Sequence, residues 1–580
     1  MSMKNCAGLA LAALLVAVLV SCNDEPGSNR FLTVEYVIGA DELAQPLHTS
    51  EFAEPADAGT VESEFTGILT LVGPAEHGQL EVLLDPHDLV GLVGEPIRHL
   101  PEFEFSFVQR GADLVPVQRG VIRTEHPYWE YILQPGRVWS EVGDGSWSRA
   151  ALPFSLQERG ANCTHNGMLT WLFDSGGNVS RVAYQISSET CGYFKVNMWG
   201  TVPAEFEPGE VAGADAAISR LDAHRAARLP VKPIAMLAED HPGVDPENIG
   251  AVNGVKPEDM TVYGFVVDGV HYRGGCETRH GPYPYCNSLP LPSYSTAKSI
   301  FAGVALMYLE KRHPGVAAQS VSSLVPECPS DRWADVSLEN ALDMATGNYE
   351  QTGWENDEHS APHVAFLYEN TQAARIEFAC THFQRRAEPG TEWVYHTSDT
   401  YLLGTALRNY ASQQHDTDVD LYEHVIAGPV WNRLGLSPLL DDTKRTYDEV
   451  AQPYTGYGLT YEADDIVRIA RWLSQENAEI DGEPDLDEDM LAASLQRDPN
   501  DRGLTAVYPY FRYNNGFWGF NASTALGCDA DVWVPFMSGY GGISVVMLPN
   551  DTIYYYFSDG YVHRWASAVV ESSKIRDLCQ

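Results

Sequence analysis

Ten residues from Ile300 to Leu309 carry no charge and only one polar atom, the Tyr308 hydroxyl. At helical pitch such a run has almost no polar face, so it predicts a helix buried in the centre of a domain. Ending one residue short of it stands Ser293-Tyr294-Ser295-Thr296-Ala297-Lys298. Residues three apart share a helix face, which sets Lys298 beside Ser295. A serine hydroxyl is a weak nucleophile until a base takes its proton. A lysine whose pKa is lowered by burial can be that base. Ser295 at the head of the helix would also sit where free N–H groups and the positive end of the dipole meet developing negative charge. Ser295 is therefore the candidate nucleophile and Lys298 its candidate base.

The flanking sequence has a definite order. A strand over Thr261–Val267, an Asp268-Gly269 turn and a return through His271-Tyr272 precede Ser295. After it, Ser337 to Thr346 reads as a helical pattern that stops at Gly347. Pro389-Gly390-Thr391 then leads through Glu392-Trp393-Val394 to Tyr395, with His396-Thr397-Ser398-Asp399 behind it. Late in the chain Gly539-Tyr540-Gly541-Gly542 precedes a strand over Ile543–Leu548. This order resembles the serine beta-lactamase and penicillin-binding-protein superfamily, in particular the branch of class C beta-lactamases, related esterases and nylon-oligomer hydrolases. The resemblance covers roughly residues 234–580. It implies a beta-lactamase-like α/β (α+β) catalytic domain, with Tyr395 as the partner of Ser295 and Lys298 in proton transfer. Thr397 stands where the family often has the Asn of a Tyr-x-Asn motif, and no lysine occupies the third element. Gly541 and Gly542 are the candidate oxyanion or substrate-binding positions there, and which backbone N–H donates stays open.

With 580 residues the chain exceeds a single hydrophobic core, and two domains are expected. Between Glu64 and Gly200 short strands such as Phe65–Val72, Phe103–Gln109, Met168–Phe173 and Ser180–Ile186 alternate with Gly/Asp turns, the pattern of an all-β sandwich-like domain. An Ala-rich helical stretch over Ala212–Ala227, closed by Pro230 and Pro233, reads as a joint. The resulting division is a signal segment at 1–22, a β-rich domain at 30–205, a linker at 206–233 and the hydrolase domain at 234–580.

The chain opens with Lys4, an apolar run from Ala7 to Val20, and then Ser21-Cys22. The run is short for a membrane span and matches a signal-peptide core. Leu19-Val20-Ser21-Cys22 resembles a bacterial lipoprotein signal, which implies lipidation at Cys22. Asn23, rather than Asp, follows it, which by the same resemblance implies a protein held to the outer membrane and facing the periplasm or cell surface. Of the 10 cysteines, Cys163, Cys191, Cys276, Cys286, Cys328, Cys380, Cys528 and Cys579 lie beyond this segment. Their even number in an exported chain predicts disulfides, with Cys276–Cys286 bracketing one loop. The net charge of −43, from 80 acidic and 37 basic residues, excludes nucleic acid as a partner.

The expected activity is acyl transfer to water on a small ester, amide or peptide-like substrate without cofactor or metal. The alternatives are a beta-lactamase or D-Ala-D-Ala carboxypeptidase-like enzyme and a catalytically silent surface binding protein on the same fold. Two other patterns are set aside. Phe173-Asp174-Ser175-Gly176-Gly177 is similar to a chymotrypsin-like nucleophile loop but reads as a turn between strands. His359 and His363 have metal-compatible spacing, but Pro362 between them disturbs the helix this would need.

Overall fold

A computed structural model describes residues 30–39, 43–61, 63–72, 78–250 and 254–579. The signal segment and Cys22 lie outside the described residues. Two large sheets organise the chain. The first holds 12 antiparallel strands, all drawn from before residue 209, in which the hairpin partners Ser148–Glu158 and Thr164–Phe173 form the centre. Every residue of these two strands is buried, although a sheet with one wet face would alternate. The reason is that both faces are covered. Leu152, Phe154, Leu169 and Trp171 point into a core of the sheet's own, whereas Met168, Leu172 and Ala183 join the core built mostly from residues beyond 260.

The expected joint forms the helix Ala214–Ala227, and Val231–Pro233 after it pairs in parallel with His271–Arg273. That short strand opens the second sheet, of nine strands. Its centre runs Met260–Val267, Thr552–Ser558, Ile543–Leu548 and Trp533–Gly539, each antiparallel to the next. Asp268 and Gly269 both adopt left-handed backbone (φ 51° and 76°), the two-residue turn that matches strand twist. Helices Thr397–His415, Ala463–Ser474 and Ala566–Ile575 accompany this sheet, giving the mixed α/β architecture expected of this half.

The apolar run after Ser295 is helical from Lys298 to Arg312, with a wider five-residue hydrogen-bond pattern over Lys298–Gly303. Ile300, Phe301, Leu306 and Met307 are wholly buried, each worth about 1.5–3 kcal/mol relative to exposure. The helix thus lies inside the core that a run with almost no polar face requires. Disulfides join Cys163–Cys191, Cys276–Cys286, Cys328–Cys380 and Cys528–Cys579. Among the described residues no helix is long and apolar enough to cross a membrane. The Phe173–Gly177 stretch is a turn whose Asp174 carboxylate accepts from the N–H groups of Gly176 and Asn178.

Candidate active site

Ser295 sits half-buried on the turn that opens the central helix. Tyr294 before it has φ +40°, a strained value for a side-chain-bearing residue and one that recurs at functional turns. This turn is held from outside its own half. Asn162, between two strands of the first sheet, uses Oδ1 to accept from Tyr294 N (2.8 Å), Ser293 Oγ (3.2 Å) and Gly458 N (3.3 Å), and Nδ2 to donate to Leu459 O (3.3 Å).

Lys298 is 1% exposed, and its Nζ donates to Ser295 Oγ (3.0 Å), Thr397 Oγ1 (2.8 Å) and the Gly456 carbonyl (3.3 Å). Those three bonds use the three protons of an ammonium. Burial pushes its pKa down to about 8, against the opposing pull of Glu358 and Glu355. Nζ also lies 4.8 Å from the centre of the Tyr395 ring. Burial drives the Tyr395 phenol well above its usual value, and Glu358 adds to that, while a hydrogen bond with Ser295 opposes it. Ser295, Lys298 and Tyr395 are therefore brought together.

Tyr395 reaches this point because the Pro389–Tyr395 segment is tied to the Met344–Gly347 segment through Gly390 N to Ala345 O (2.8 Å) and Val394 N to Met344 O (3.0 Å). Gly347 has φ +73°, and a Cβ there would stand 2.2 Å from the Ala387 carbonyl, so only glycine fits. Behind Tyr395, the buried His396 contacts Asp357 (3.0 Å) and Asp399 (3.5 Å). Burial disfavours its charge, but the two carboxylates prevail and raise its pKa to about 9.

Thr397 lies beside Lys298 and is engaged by protein partners. Besides accepting from Lys298, it donates Oγ1–H and N–H to the two oxygens of Glu358 (2.5 and 2.8 Å). Burial favours the neutral acid at Glu358, yet His363, Lys298 and the Thr397 bonds outweigh it and hold the carboxyl below its usual range. Its place at the N-terminus of helix Thr397–His415 suits a charged carboxylate. Glu358 has no sequence motif to mark it. His363 Nε2 lies 3.4 Å from Glu358, whereas the exposed His359 stands 3.5 Å from Glu355, so the two histidines face different partners. Pro362 is in the first turn of helix Ala361–Tyr368 and starts it after His359.

In the third element it is Gly539 that abuts the nucleophile turn: a Cβ there would meet Ser293 O at 3.0 Å and Tyr294 Cβ at 3.3 Å. Gly541 and Gly542, both with positive φ, face Ser558 instead. Tyr540 packs its ring against Tyr294 (5.6 Å) and against Tyr193 (6.2 Å), in the turn between strands Val182–Thr190 and Lys195–Val202 of the first sheet. On the other side Trp354, 46% exposed, lies 6.0 Å from Tyr395 and 5.7 Å from Trp518, which makes an aromatic wall beside the candidate triad. The Cys163–His165–Cys191 cluster, the one group of metal-ligand type among the described residues, has both sulfurs in a disulfide.

No protein-family model and no curated protein matches the chain. Solved structures do resemble it. They include "Putative 6-aminohexanoate-dimer hydrolase from Bacillus anthracis", 16% identical over 60% of this chain and 81% of that one, with a TM-score of 0.41. A beta-lactamase candidate from Bacteroides dorei is 14% identical over 55% and 92% of the two chains, with a TM-score of 0.38. A single-site mutant of a class C beta-lactamase is 15% identical over 63% and 99%, with a TM-score of 0.37.

Proposed function

We propose that the protein is a serine hydrolase, and more particularly an esterase or amidase that works through a Ser295 acyl-enzyme with Lys298 as base. The observation that carries this reading is the 3.0 Å contact between Lys298 Nζ and Ser295 Oγ at a lysine whose pKa is lowered to about 8. Near pH 7 roughly a tenth of such a lysine is neutral, whereas a phenol pushed above its usual 10 is almost wholly protonated. Lys298 therefore takes the Ser295 proton while Oγ attacks the carbonyl carbon. Tyr395 is suited to the opposite task, giving its proton to the leaving alcohol or amine. The Ser295 N–H and the segment at Gly539 are the proposed oxyanion donors. The proton on Lys298 then passes to the Tyr395 phenolate, which frees the base; water attacks the acyl-enzyme carbonyl and gives one proton to Lys298, which returns it to Ser295 Oγ as the acyl bond breaks and the acid product leaves.

Both charged groups that act on Lys298 are acidic, and the wall at Trp354 is apolar. This favours uncharged esters or linear amides over substrates with a carboxylate beside the scissile bond, penicillins and cephalosporins included. Ser295→Ala should abolish labelling by a fluorophosphonate and all turnover, and labelling retained at another serine would reject the assignment. On the same preparation, kcat/KM for a short-chain nitrophenyl ester should exceed that for a chromogenic cephalosporin; the reverse order would reject the substrate preference. We also propose outer-membrane anchoring through Cys22, on the strength of the Leu-Val-Ser-Cys sequence. Membrane association unchanged in Cys22→Ser would exclude it.

A further inference from the structure

Five arginines gather at one point of a chain whose formal net charge is −43. They line a cavity of about 330 Å³ where three parts of the molecule meet. Arg119 and Arg137 come from the first sheet and its loops, Arg225 and Arg228 from the end of the Ala214–Ala227 helix, and Arg273 from strand Val270–Gly275. None of the described residues lining the cavity is acidic. The carboxylates that balance the arginines stand behind them. Glu462 pairs with Arg228 and, at 3.6 Å, with Arg119; Asp113 takes Arg137 (3.1 Å) and Arg225 (2.7 Å), and Glu54 takes Arg137 (2.8 Å). Asp464 and Asp465 add their fields from further out. Arg273 donates to neutral acceptors, the Cys286 carbonyl (3.4 Å) and Asn287 Oδ1 (2.8 Å).

A guanidinium carries five N–H donors in a fixed fork, and a buried one needs them met. The Arg119 side chain is 5% exposed and gives Nη2 to Gln134, yet its Nε and Nη1 have no hydrogen-bond partner among the described residues, and Arg228 Nε has none there either. Burial also pushes Arg119 down to about 10 in spite of Glu462, which marks a cation short of compensation. The rest of the lining is of another kind. Pro135, Leu221, Pro284 and Tyr285 offer carbon surface, and the volume exceeds what a bare inorganic ion fills.

We infer that this cavity binds a small organic polyanion, a di- or tricarboxylate or a phosphate monoester, at a site that shares no residue with Ser295, Lys298 or Tyr395. The guanidinium forks take the oxyanion groups, and the proline, leucine and tyrosine surfaces take the carbon frame. Because the cavity joins the first sheet, the connecting helix and the second sheet, occupancy stabilises the folded chain by mass action.

Calorimetric titration and melting curves of the full chain at fixed ionic strength, with citrate, phenyl phosphate and inorganic phosphate as separate probes, test this directly. Citrate or phenyl phosphate should bind one per chain and raise Tm, with inorganic phosphate weaker. Arg273→Gln should weaken binding about tenfold or more while leaving Tm without ligand near that of the parent. Should that variant fail to fold, Arg225→Gln, on the solvent side of the cluster, carries the same comparison. No saturable binding of any probe, or unchanged affinity in a folded variant, would overturn the site. Inorganic phosphate binding as tightly as the organic anions would overturn their assignment as its ligands. All these readouts are of binding and stability, so they stand or fall independently of the Ser295 reading.

Discussion

At Lys298 two opposing effects decide the chemistry. Burial at 1% exposure lowers the ammonium's pKa, and the Glu358 and Glu355 carboxylates raise it, with burial the larger of the two and about 8 the result. A base must be unprotonated to act, so kcat/KM should rise with pH along a limb centred near 8. Since Glu358 raises this pKa, removing its charge must lower it. Glu358→Gln keeps an oxygen for Thr397 and should move the limb to lower pH by about one unit, a change of ~1.4 kcal/mol in the relative stability of the two protonation states. A pH–rate profile on a neutral ester measures this; a limb that stays in place would show that the titrating group is not Lys298. Thr397 is a particular lesson at this scale. Its position is readable from the motif, but its coupling to Glu358 depends on residues 39 apart meeting in space, which no local pattern encodes.

At the scale of elements, the helix at Ser295 and the strands around it follow from local signals. Thr261–Val267 is realised as Met260–Val267, Ile543–Leu548 as a strand with those bounds, and the Asp-Gly turn between strands falls where its residue types require. Hydrophobic periodicity and turn chemistry are short-range properties, so these survive a reading of the chain alone. The Asn162 clamp does not. It belongs to the connection between two strands of the first sheet and acts on a turn 131 residues later. Asn162→Leu removes the acceptor for three donors and lets the strained Tyr294 turn relax. It should lower kcat about ten- to a hundredfold with KM little changed, since a small misplacement of a nucleophile is costly. Asn162→Asp retains the acceptor and should recover most of that loss. Its added negative charge would move the acid limb of the profile to higher pH. A purely scaffolding Asn162 would instead lower Tm in both variants and leave kcat per folded molecule unaltered.

At the scale of the whole molecule, the two sheets are locked by charge as well as by apolar surface. Lys444, 2% exposed, donates to Glu130 Oε2 (2.7 Å) and to the carbonyls of Glu158 and Arg159 in the first sheet. Removing one member of a buried pair strands the other, so Lys444→Ala should cost about 3–5 kcal/mol, read as a lowered urea midpoint. Replacing both by apolar residues, Lys444→Met with Glu130→Leu, should return much of it. Shared burial also implies that the halves unfold together, so near-UV and far-UV transitions should coincide. Separate transitions, or a Lys444→Ala midpoint equal to the parent's, would refute the lock. The sequence by itself determined what depends on neighbours along the chain: the all-β first half, the mixed second half, the buried helix, and the candidate nucleophile, base and tyrosine with their order. Only the tertiary structure decided which distant groups complete them. Full burial of strands 148–158 and 164–173, the hold of Asn162 on Tyr294, the Glu358 carboxylate behind Thr397 and the arginine-lined cavity all arise where segments distant along the chain come into contact, 39 residues apart at Glu358 and Thr397 and 132 at Asn162 and Tyr294. Such contacts are set by how the elements pack in three dimensions, a property that periodicity and motif spacing do not contain.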